Sequence, residues 1–374
     1  MSMKKSTSAS KRPFVLLGST VQLSDLRYAT AFDAPDPVAA VRFPQGRTIL
    51  LVNGMELGRA RNQARGCEVH SADTLGLPAE AKRGESALLA EFLRAEGVSE
   101  VEADEWFPLG AVAALEQRGI RTVLATESPW ARPRLVKTAA ELRAIRASQA
   151  AARAAERALG TAIRTADVRS DGVLMRDGRP FTSERALALV RDVLLSKGTM
   201  DFEGSIVAGG AQAADPHEAG HGPLRAGEWI VCDIFPRSLR TGYWGDMTRT
   251  FAHGRVDAAK RKLYDTVREA QKRALAMIRP GVTGAAVHDE VVRFFRDRGY
   301  ETGVGKDGRA YGYFHGTGHG VGLDIHEEPR LSLRGGILEP GMVVTVEPGL
   351  YYPAIGGVRW EDTVVVTETG CKIL

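Results

Sequence analysis

The sequence predicts an α+β second half behind a smaller α/β first half. Three observations carry this expectation. Residues 13–127 alternate short apolar runs (FVLLGS, TILLV, TVLAT), read as buried strands, with helical stretches such as ESALLAEFLRAEG, the pattern of an α/β domain. Residues 134–374 instead run helix, helix, strands, and then repeat that order. Between the halves, Pro129 and Pro133 in SPWARP break regular structure. The expected organisation is a basic tail over 1–12, a first domain over 13–130 and a second over 134–374.

The elements of the second half follow from local signals. Thr138-Ala139-Ala140-Glu141 forms a capping box, in which the Thr hydroxyl and the Glu carboxylate each take a backbone N–H. A helix is expected from there to about Arg164. Residues 165–181 read as a loop insertion, and a second helix over 183–197 stops at Gly198. EWIVCDIF and GYWGDMTRTF read as strands. DAAKRKLYDTVREAQKRALAMIR is a long helix ended by Pro280-Gly281, and a shorter one runs from Thr283 to about Arg298, with Gly299 as its stop. MVVTVEPGLYY and GGVRWEDTVVVT complete the strands. The recurrence reads as a duplication of element order, without sequence identity between the halves.

Composition narrows the function. The chain has 374 residues, 44% hydrophobic and 26% charged, which fits a soluble protein of two domains and excludes disordered, collagen-like and disulfide-framework classes. Residues 1–12 hold Lys4, Lys5, Lys11 and Arg12 and no acid, which equals the net charge of +4. The folded remainder is therefore neutral, and nucleic-acid binding through overall charge is not expected. No apolar run approaches the ~18 residues of a membrane span. Cys67, Cys232 and Cys371 are widely spaced and odd in number, so a reducing, cytoplasmic setting is expected, with the cysteines as small buried apolar residues.

Polar residues inside apolar strands carry the chemistry. Asp233 stands in Ile230-Val231-Cys232-Asp233-Ile234, and Asp246 in Trp244-Gly245-Asp246-Met247. Glu347 ends Val343-Val344-Thr345-Val346, and Glu361 precedes Asp362-Thr363-Val364-Val365-Val366. A buried carboxylate costs several kcal/mol unless paired or metal-bound. Pro236 and Gly242 allow a hairpin that brings the two aspartates together. His315, His319 and His326 fall within twelve residues that also hold Gly316, Gly318, Gly320 and Gly322, a segment that disfavours helix and admits close approach. Two Asp, two Glu and one His form a mixed O/N donor set that suits Mn²⁺, Co²⁺, Zn²⁺ or Fe²⁺. Four carboxylates balance two divalent ions. Such centres hydrolyse amides and phosphate esters, and no phosphate-cradling P-loop is present.

These residues resemble the pita-bread metallopeptidases, the family of prolidase, aminopeptidase P and methionine aminopeptidase. The matching motifs are Val231-Cys232-Asp233, Gly245-Asp246-Met247-Thr248-Arg249-Thr250, Gly318-His319-Gly320-Val321-Gly322, Val346-Glu347-Pro348-Gly349 and Val358-Arg359-Trp360-Glu361-Asp362-Thr363. Asp25-Leu26-Arg27-Tyr28-Ala29-Thr30-Ala31-Phe32 resembles the creatinase/prolidase amino-terminal domain. The resemblance implies a pita-bread second domain with two divalent ions per subunit (Mn, Co or Zn) held by Asp233, Asp246, His319, Glu347 and Glu361. Asp246 and Glu361 would bridge the ions, and Glu347 would shuttle protons to and from a bridging hydroxide. It further implies that His326 and His217 act on substrate, that His315 lines the substrate pocket and that Arg359 orients Glu361 and contributes to substrate binding. Asp233 and Asp246 are separated by twelve residues, where the family usually has ten; a longer hairpin that spares the ligands is expected.

His326-Glu327-Glu328-Pro329-Arg330 resembles the prolidase pattern, in which the arginine receives a dipeptide's free carboxylate. A guanidinium suits that role because its fork binds carboxylate bidentately. The expected substrate is therefore an Xaa-Pro dipeptide, and the expected assembly a homodimer. Three alternatives stay open: an aminopeptidase P acting on longer Xaa-Pro peptides, a non-catalytic protein-binding scaffold, and a creatinase-like hydrolase. The last two predict lost ligands, whereas all five positions are filled.

Overall fold

The structure, a computed structural model, describes residues 11–374; nearly all of the expected basic tail lies outside them. The chain divides into a unit reaching to Arg134 and a unit over Leu135–Leu374.

In the first unit six strands form one mixed sheet: β1 (Phe14–Gly18), β2 (Val38–Arg42), β3 (Thr48–Leu51), β4 (Glu68–His70), β5 (Glu100–Ala103) and β6 (Arg121–Leu124), in the order β4-β3-β2-β1-β5-β6. β1, β2 and β3 pair antiparallel, whereas β4, β5 and β6 join their neighbours in parallel. β1 to β3 are buried on both faces, as their unbroken apolar runs predict. β6, expected to be buried, is a half-exposed edge strand with Leu124 68% exposed. Within the sheet it pairs with β5 alone.

In the second unit the order helix, helix, strands occurs twice. The first set comprises α1 (Ala139–Arg164), α2 (Ser183–Ser196), β7 (Ile206–Gly209), β8 (Ile230–Ile234) and β9 (Met247–Phe251). The second comprises α3 (Ala258–Met277), α4 (Gly284–Asp297), β10 (Gly318–Gly320), β11 (Glu327–Leu331), β12 (Val343–Val346), β13 (Gly349–Tyr352), β14 (Gly356–Arg359), β15 (Asp362–Val366) and β16 (Cys371–Ile373). The sheets run β7-β8-β9, β11-β10-β12-β15-β16 and β13-β14, all antiparallel. Each helix pair packs on its own strands: Ala152, Ala155 and Leu159 of α1 against Cys232, Ile234 and Met247, and Val267, Ala270 and Val291 of α3 and α4 against Val344, Val346 and Val364.

The local signals hold at several points. α1 starts on the expected capping box: the Thr138 N–H donates to Glu141 Oε2 at 2.8 Å and Glu141 N–H returns to Thr138 Oγ1 at 3.3 Å. α2 is followed by Gly198 at φ 69°, and α4 by Gly299 at φ 80°, a conformation that costs glycine little. Residues 165–181 differ from the expected loop. They form a three-stranded meander (Asp167–Val168, Leu174–Arg176, Arg179–Pro180) whose turn uses Asp177 and Gly178 at positive φ. In the longer hairpin Arg237–Ser238 pairs with Thr199–Met200, while Ile234 stays in register with Met247. The extra length is thus absorbed beyond the ligand-bearing strands. All three cysteines are free, with Cys232 buried and the other two half-buried. No described helix is long and apolar enough to cross a membrane.

One residue of α1 breaks the apolar pattern. Glu156 is 3% exposed, and neither carboxylate oxygen finds a protein partner. Burial holds its carboxyl well above the usual range, with Arg249 opposing weakly. The folded state therefore keeps a proton that the unfolded chain sheds above its ordinary value of 4.5. Stability is full below that value and declines as pH rises toward the folded one. Glu156→Leu is expected to stabilise the protein by about 1–3 kcal/mol, the cost of an unsatisfied buried polar group. The gain should be larger at pH 8 than at pH 5. Chemical denaturation at the two pH values measures it, and an equal or absent gain would refute the account.

Candidate metal centre

The five expected donors come from both halves of the second unit, and the breaks between strands aim most of them. Asp233 lies within β8 and His319 within β10, whereas the other three donors stand at strand breaks. Asp246 immediately precedes β9, Glu347 follows β12, and Glu361 sits between β14 and β15. This corrects the expectation that all four carboxylates stand inside strands, and that GYWGDMTRTF is one continuous strand. At a break the side chain leaves the pleat and turns into the pocket, which a regular strand forbids.

Each donor is pinned through its backbone. The Asp246 N–H donates to Gln149 Oε1, and the Asp246 carbonyl accepts from Gln149 Nε2, both at 2.8 Å; the same carbonyl accepts from Thr363 Oγ1 at 2.8 Å. α1 comes close enough to do this because residue 245 is glycine. A Cβ there would lie 2.6 Å from the backbone of Ser148 and Gln149. Glu361 N–H donates to the Thr248 carbonyl at 3.1 Å, and Glu361 Oε2 accepts from Thr248 Oγ1 at 2.7 Å. The His319 N–H donates to Thr345 Oγ1 at 3.0 Å, and that hydroxyl donates onward to Glu347 Oε1 at 3.1 Å. At Gly318 a Cβ would meet the Thr345 carbonyl oxygen at 2.0 Å. The Gly-rich segment thus lets the His319 strand lie against its neighbours.

The donors converge. One ligand atom from each of Asp246, His319 and Glu361 lies within 4.8 Å of the others. These residues are 4%, 8% and 2% exposed. His319 Nδ1 donates to the Gly320 carbonyl at 3.1 Å, so the ring turns Nε2 toward Glu347 Oε1 at 3.2 Å and Asp246 Oδ2 at 3.5 Å, where it carries a proton that a bound cation would displace. Asp233 Oδ2 is held by Arg359 Nη2 at 2.6 Å, while Oδ1 is buried without a partner. An orphaned buried carboxylate oxygen and an imidazole nitrogen aimed at two acids fit a divalent cation.

The electrostatics agree. Burial, then mutual repulsion, pushes Asp246 and Glu361 well above the usual carboxylate range, and burial raises Asp233 despite Arg359. Glu347 goes the other way: burial opposes its charge, but the His319 hydrogen bond brings it down to about 2. Burial also disfavours a charged His319, yet Glu347 and Asp246 hold that imidazole up at about 9. Four acids share two protein cations, His319 and Arg359, so further positive charge is favoured here.

The other expected site residues are distributed around this cluster. His326 is exposed, with its ring 4.4 Å from that of His319, and burial followed by His319 lowers it to about 4. His217 is exposed on its loop, its N–H donating to Asp215 Oδ1 at 3.2 Å. His315 Nδ1 pairs with the Gly316 carbonyl at 2.7 Å and Nε2 with Tyr351 Oη at 3.0 Å, so both ring nitrogens are engaged; burial lowers it to about 4. Arg330 is 41% exposed at its side chain and 3.8 Å from Glu328.

Arg359 requires correction. Its side chain is 4% exposed and engaged by protein groups. The guanidinium donates to Asp233, to Tyr351 Oη at 3.0 Å and to Thr248 Oγ1 at 3.2 Å, and reaches Glu361 only through that hydroxyl. β14 lies beside β8, so the guanidinium meets Asp233 first. Gln149, Thr248, Thr345 and Tyr351 are site residues that sequence reasoning missed. Thr248 and Tyr351 lie within or beside the motifs, but Gln149 is one amide in an Ala/Arg-rich helix and carries no signal. Beside the cluster, a cavity of about 190 Å³ is lined by Ala211, Ala214, Asp215, Pro216, Phe314 and Pro353.

The sequence model of Metallopeptidase family M24 matches residues 143–368, a stretch that holds all five donors. The chain belongs to metallopeptidase family M24. As an M24 protein it is 30% identical over 292 residues to the Xaa-Pro dipeptidase of Pyrococcus horikoshii, covering 76% of this chain and 75% of that one. It is 40% identical over 173 residues to the Xaa-Pro dipeptidase of Pyrococcus furiosus, an alignment that covers 46% of each chain, so there it spans less than half of its relative. The Xaa-Pro dipeptidase structure from Bacillus anthracis superposes with a TM-score of 0.80 at 25% identity, covering 96% of this chain and 92% of that one. The M24 fold is the pita-bread α+β fold expected from the motifs, and M24 is a family of metallopeptidases.

Proposed function

We propose that the protein is an Xaa-Pro dipeptidase working with two divalent ions. The convergence of Asp246, His319 and Glu361, with Glu347 beside His319 and Asp233 pressing on Asp246, carries this reading, and the dipeptidase names of its relatives support it. Asp246 and Glu361 would be shared between the ions, Asp233 would serve one, and His319 and Glu347 the other. Bound ions would supply Lewis acidity, polarising the scissile carbonyl and acidifying a water. The O/N donor set suits Mn²⁺, Co²⁺ or Zn²⁺. A homodimer in the cytoplasm belongs to the same reading.

The chain's own residues do the rest. The Glu347 carboxylate would accept a proton from the attacking water and return it to the departing proline nitrogen. That nitrogen has no N–H in the substrate, and proline fixes φ. Recognition therefore relies on shape and on the chain ends. His326 and His217 flank the substrate, and His326 donates a hydrogen bond to the developing oxyanion. Arg330 has only a long, exposed contact to Glu328, so its guanidinium is available to the substrate carboxylate.

The test is hydrolysis of an Xaa-Pro dipeptide and an Xaa-Pro-Xaa tripeptide by metal-stripped enzyme after Mn²⁺ is restored. Cleavage confined to the dipeptide is expected. Efficient tripeptide cleavage would transfer the chain to the aminopeptidase P reading. Failure on both, across Mn²⁺, Co²⁺ and Zn²⁺, would point to a binding scaffold.

A further inference from the structure

β11 carries Arg330 and begins directly after His326. Its burial alternates: Pro329 and Leu331 face the interior, as does Glu327 with its side chain 10% exposed. His326 and Glu328 are exposed, and Arg330 is 41% exposed at its side chain. His326 and Arg330 therefore both lie on the exposed side of this segment. A slip of one residue would turn both inward.

Backbone pairing does not secure this face. β11 pairs with β10 only at Gly318↔Leu331 and Gly320↔Glu327, with a register shift between them. Where β10 advances two residues, β11 advances four. Residues 328–330 thus lie in a bulge, the kind of irregularity that re-aims side chains beside active sites.

A side chain supplies the missing constraint. The Glu327 carboxylate forms an ion pair with Lys137 Nζ, whose side chain is 1% exposed. Glu327 also lies over Gly322, where a Cβ would come within 2.4 Å of Oε1. Lys137 is itself fixed: its N–H donates to the Gly341 carbonyl at 2.9 Å, and the preceding Val136 bridges to Met342 at the head of β12. Slipping the strand would break this buried ion pair, a heavily penalised change. Buried ionic groups that set register at some cost in stability are an established device.

We propose that the Lys137–Glu327 ion pair is a positioning device that locks the register of β11 and so holds His326 and Arg330 on the substrate face. This rests on the dipeptidase reading, in which Arg330 receives the free carboxylate. Neither partner touches substrate, and both act through the strand.

The test compares an Xaa-Pro dipeptide with the same dipeptide as its C-terminal amide. The wild type should prefer the acid. Lys137→Met/Glu327→Gln removes both charges of the pair together. This variant should bind metal as the wild type does, yet its acid-over-amide ratio in kcat/KM should fall about 10–100-fold, the range for loss of an orienting partner. Amide hydrogen exchange should quicken at 328–331 and stay unchanged at 343–346. A purely structural role would lower the melting temperature and leave the ratio intact. A wild-type ratio with wild-type exchange overturns the proposal. If the wild type itself shows no acid preference, the Arg330 reading fails, and the exchange result alone decides the register lock. Should the double variant not fold, Glu327→Asp keeps both charges and shortens the tether by one methylene. It too should lose acid preference, and an unchanged ratio would overturn the proposal.

Discussion

Asp246→Ala is expected to abolish hydrolysis and release metal. Losing Lewis-acid assistance worth several kcal/mol lowers kcat/KM by about 10³-fold or more. The backbone around the substitution should survive, because Gln149 and Thr363 grip the peptide groups of residue 246 rather than its carboxylate. Removing one member of a crowded acid cluster also relieves repulsion. The metal-stripped variant should therefore melt no lower than the metal-stripped parent. Elemental analysis, calorimetric metal titration and thermal denaturation read the three effects separately. Retained activity with two ions bound would refute the assignment of Asp246 as a shared ligand.

The second large effect concerns Arg330. Arg330→Ala is expected to reduce kcat/KM on an Xaa-Pro dipeptide by about 10–100-fold, equivalent to the roughly 1.5–3 kcal/mol of a hydrogen bond to a charged group. Hydrolysis of the corresponding amide should barely change. Arg330→Lys should recover part of the loss, because a point charge replaces a bidentate fork. Steady-state kinetics on the two substrates decide the matter. An unaltered constant on the free dipeptide would leave Arg330 as an ordinary surface residue, consistent with its exposed 3.8 Å contact to Glu328.

Much of this architecture is legible in sequence because burial makes charge conspicuous. Asp233 among Ile230, Val231, Cys232 and Ile234 is improbable without a compensating partner, and so is Glu361 ahead of a β-branched run. The glycines around His319 announce close strand approach by their spacing alone. Other features are invisible for physical reasons. Gln149 acts through two backbone bonds to a residue 97 positions away, and helical periodicity says nothing of such a contact. Pro348-Gly349 does announce the break after Glu347, whereas the break at Trp360-Glu361 carries no proline or glycine to mark it. Arg359 stands two residues before Glu361 and invites that pairing, yet strand alternation and the neighbouring β8 send it to Asp233. The meander over 167–180 consists of strands of two or three residues, too short for a period of two to register.

The division of the donors between the halves of the second unit bears on how such a protein is made. Asp233 and Asp246 leave the ribosome well before His319, Glu347 and Glu361. An early nascent chain therefore carries two lone carboxylates, a poor trap for any cation. Only when the later strands have docked do the remaining ligands arrive. Metal capture is thus a closing event of biosynthesis, and a fragment lacking the later half would compete little for the cell's free metal pool.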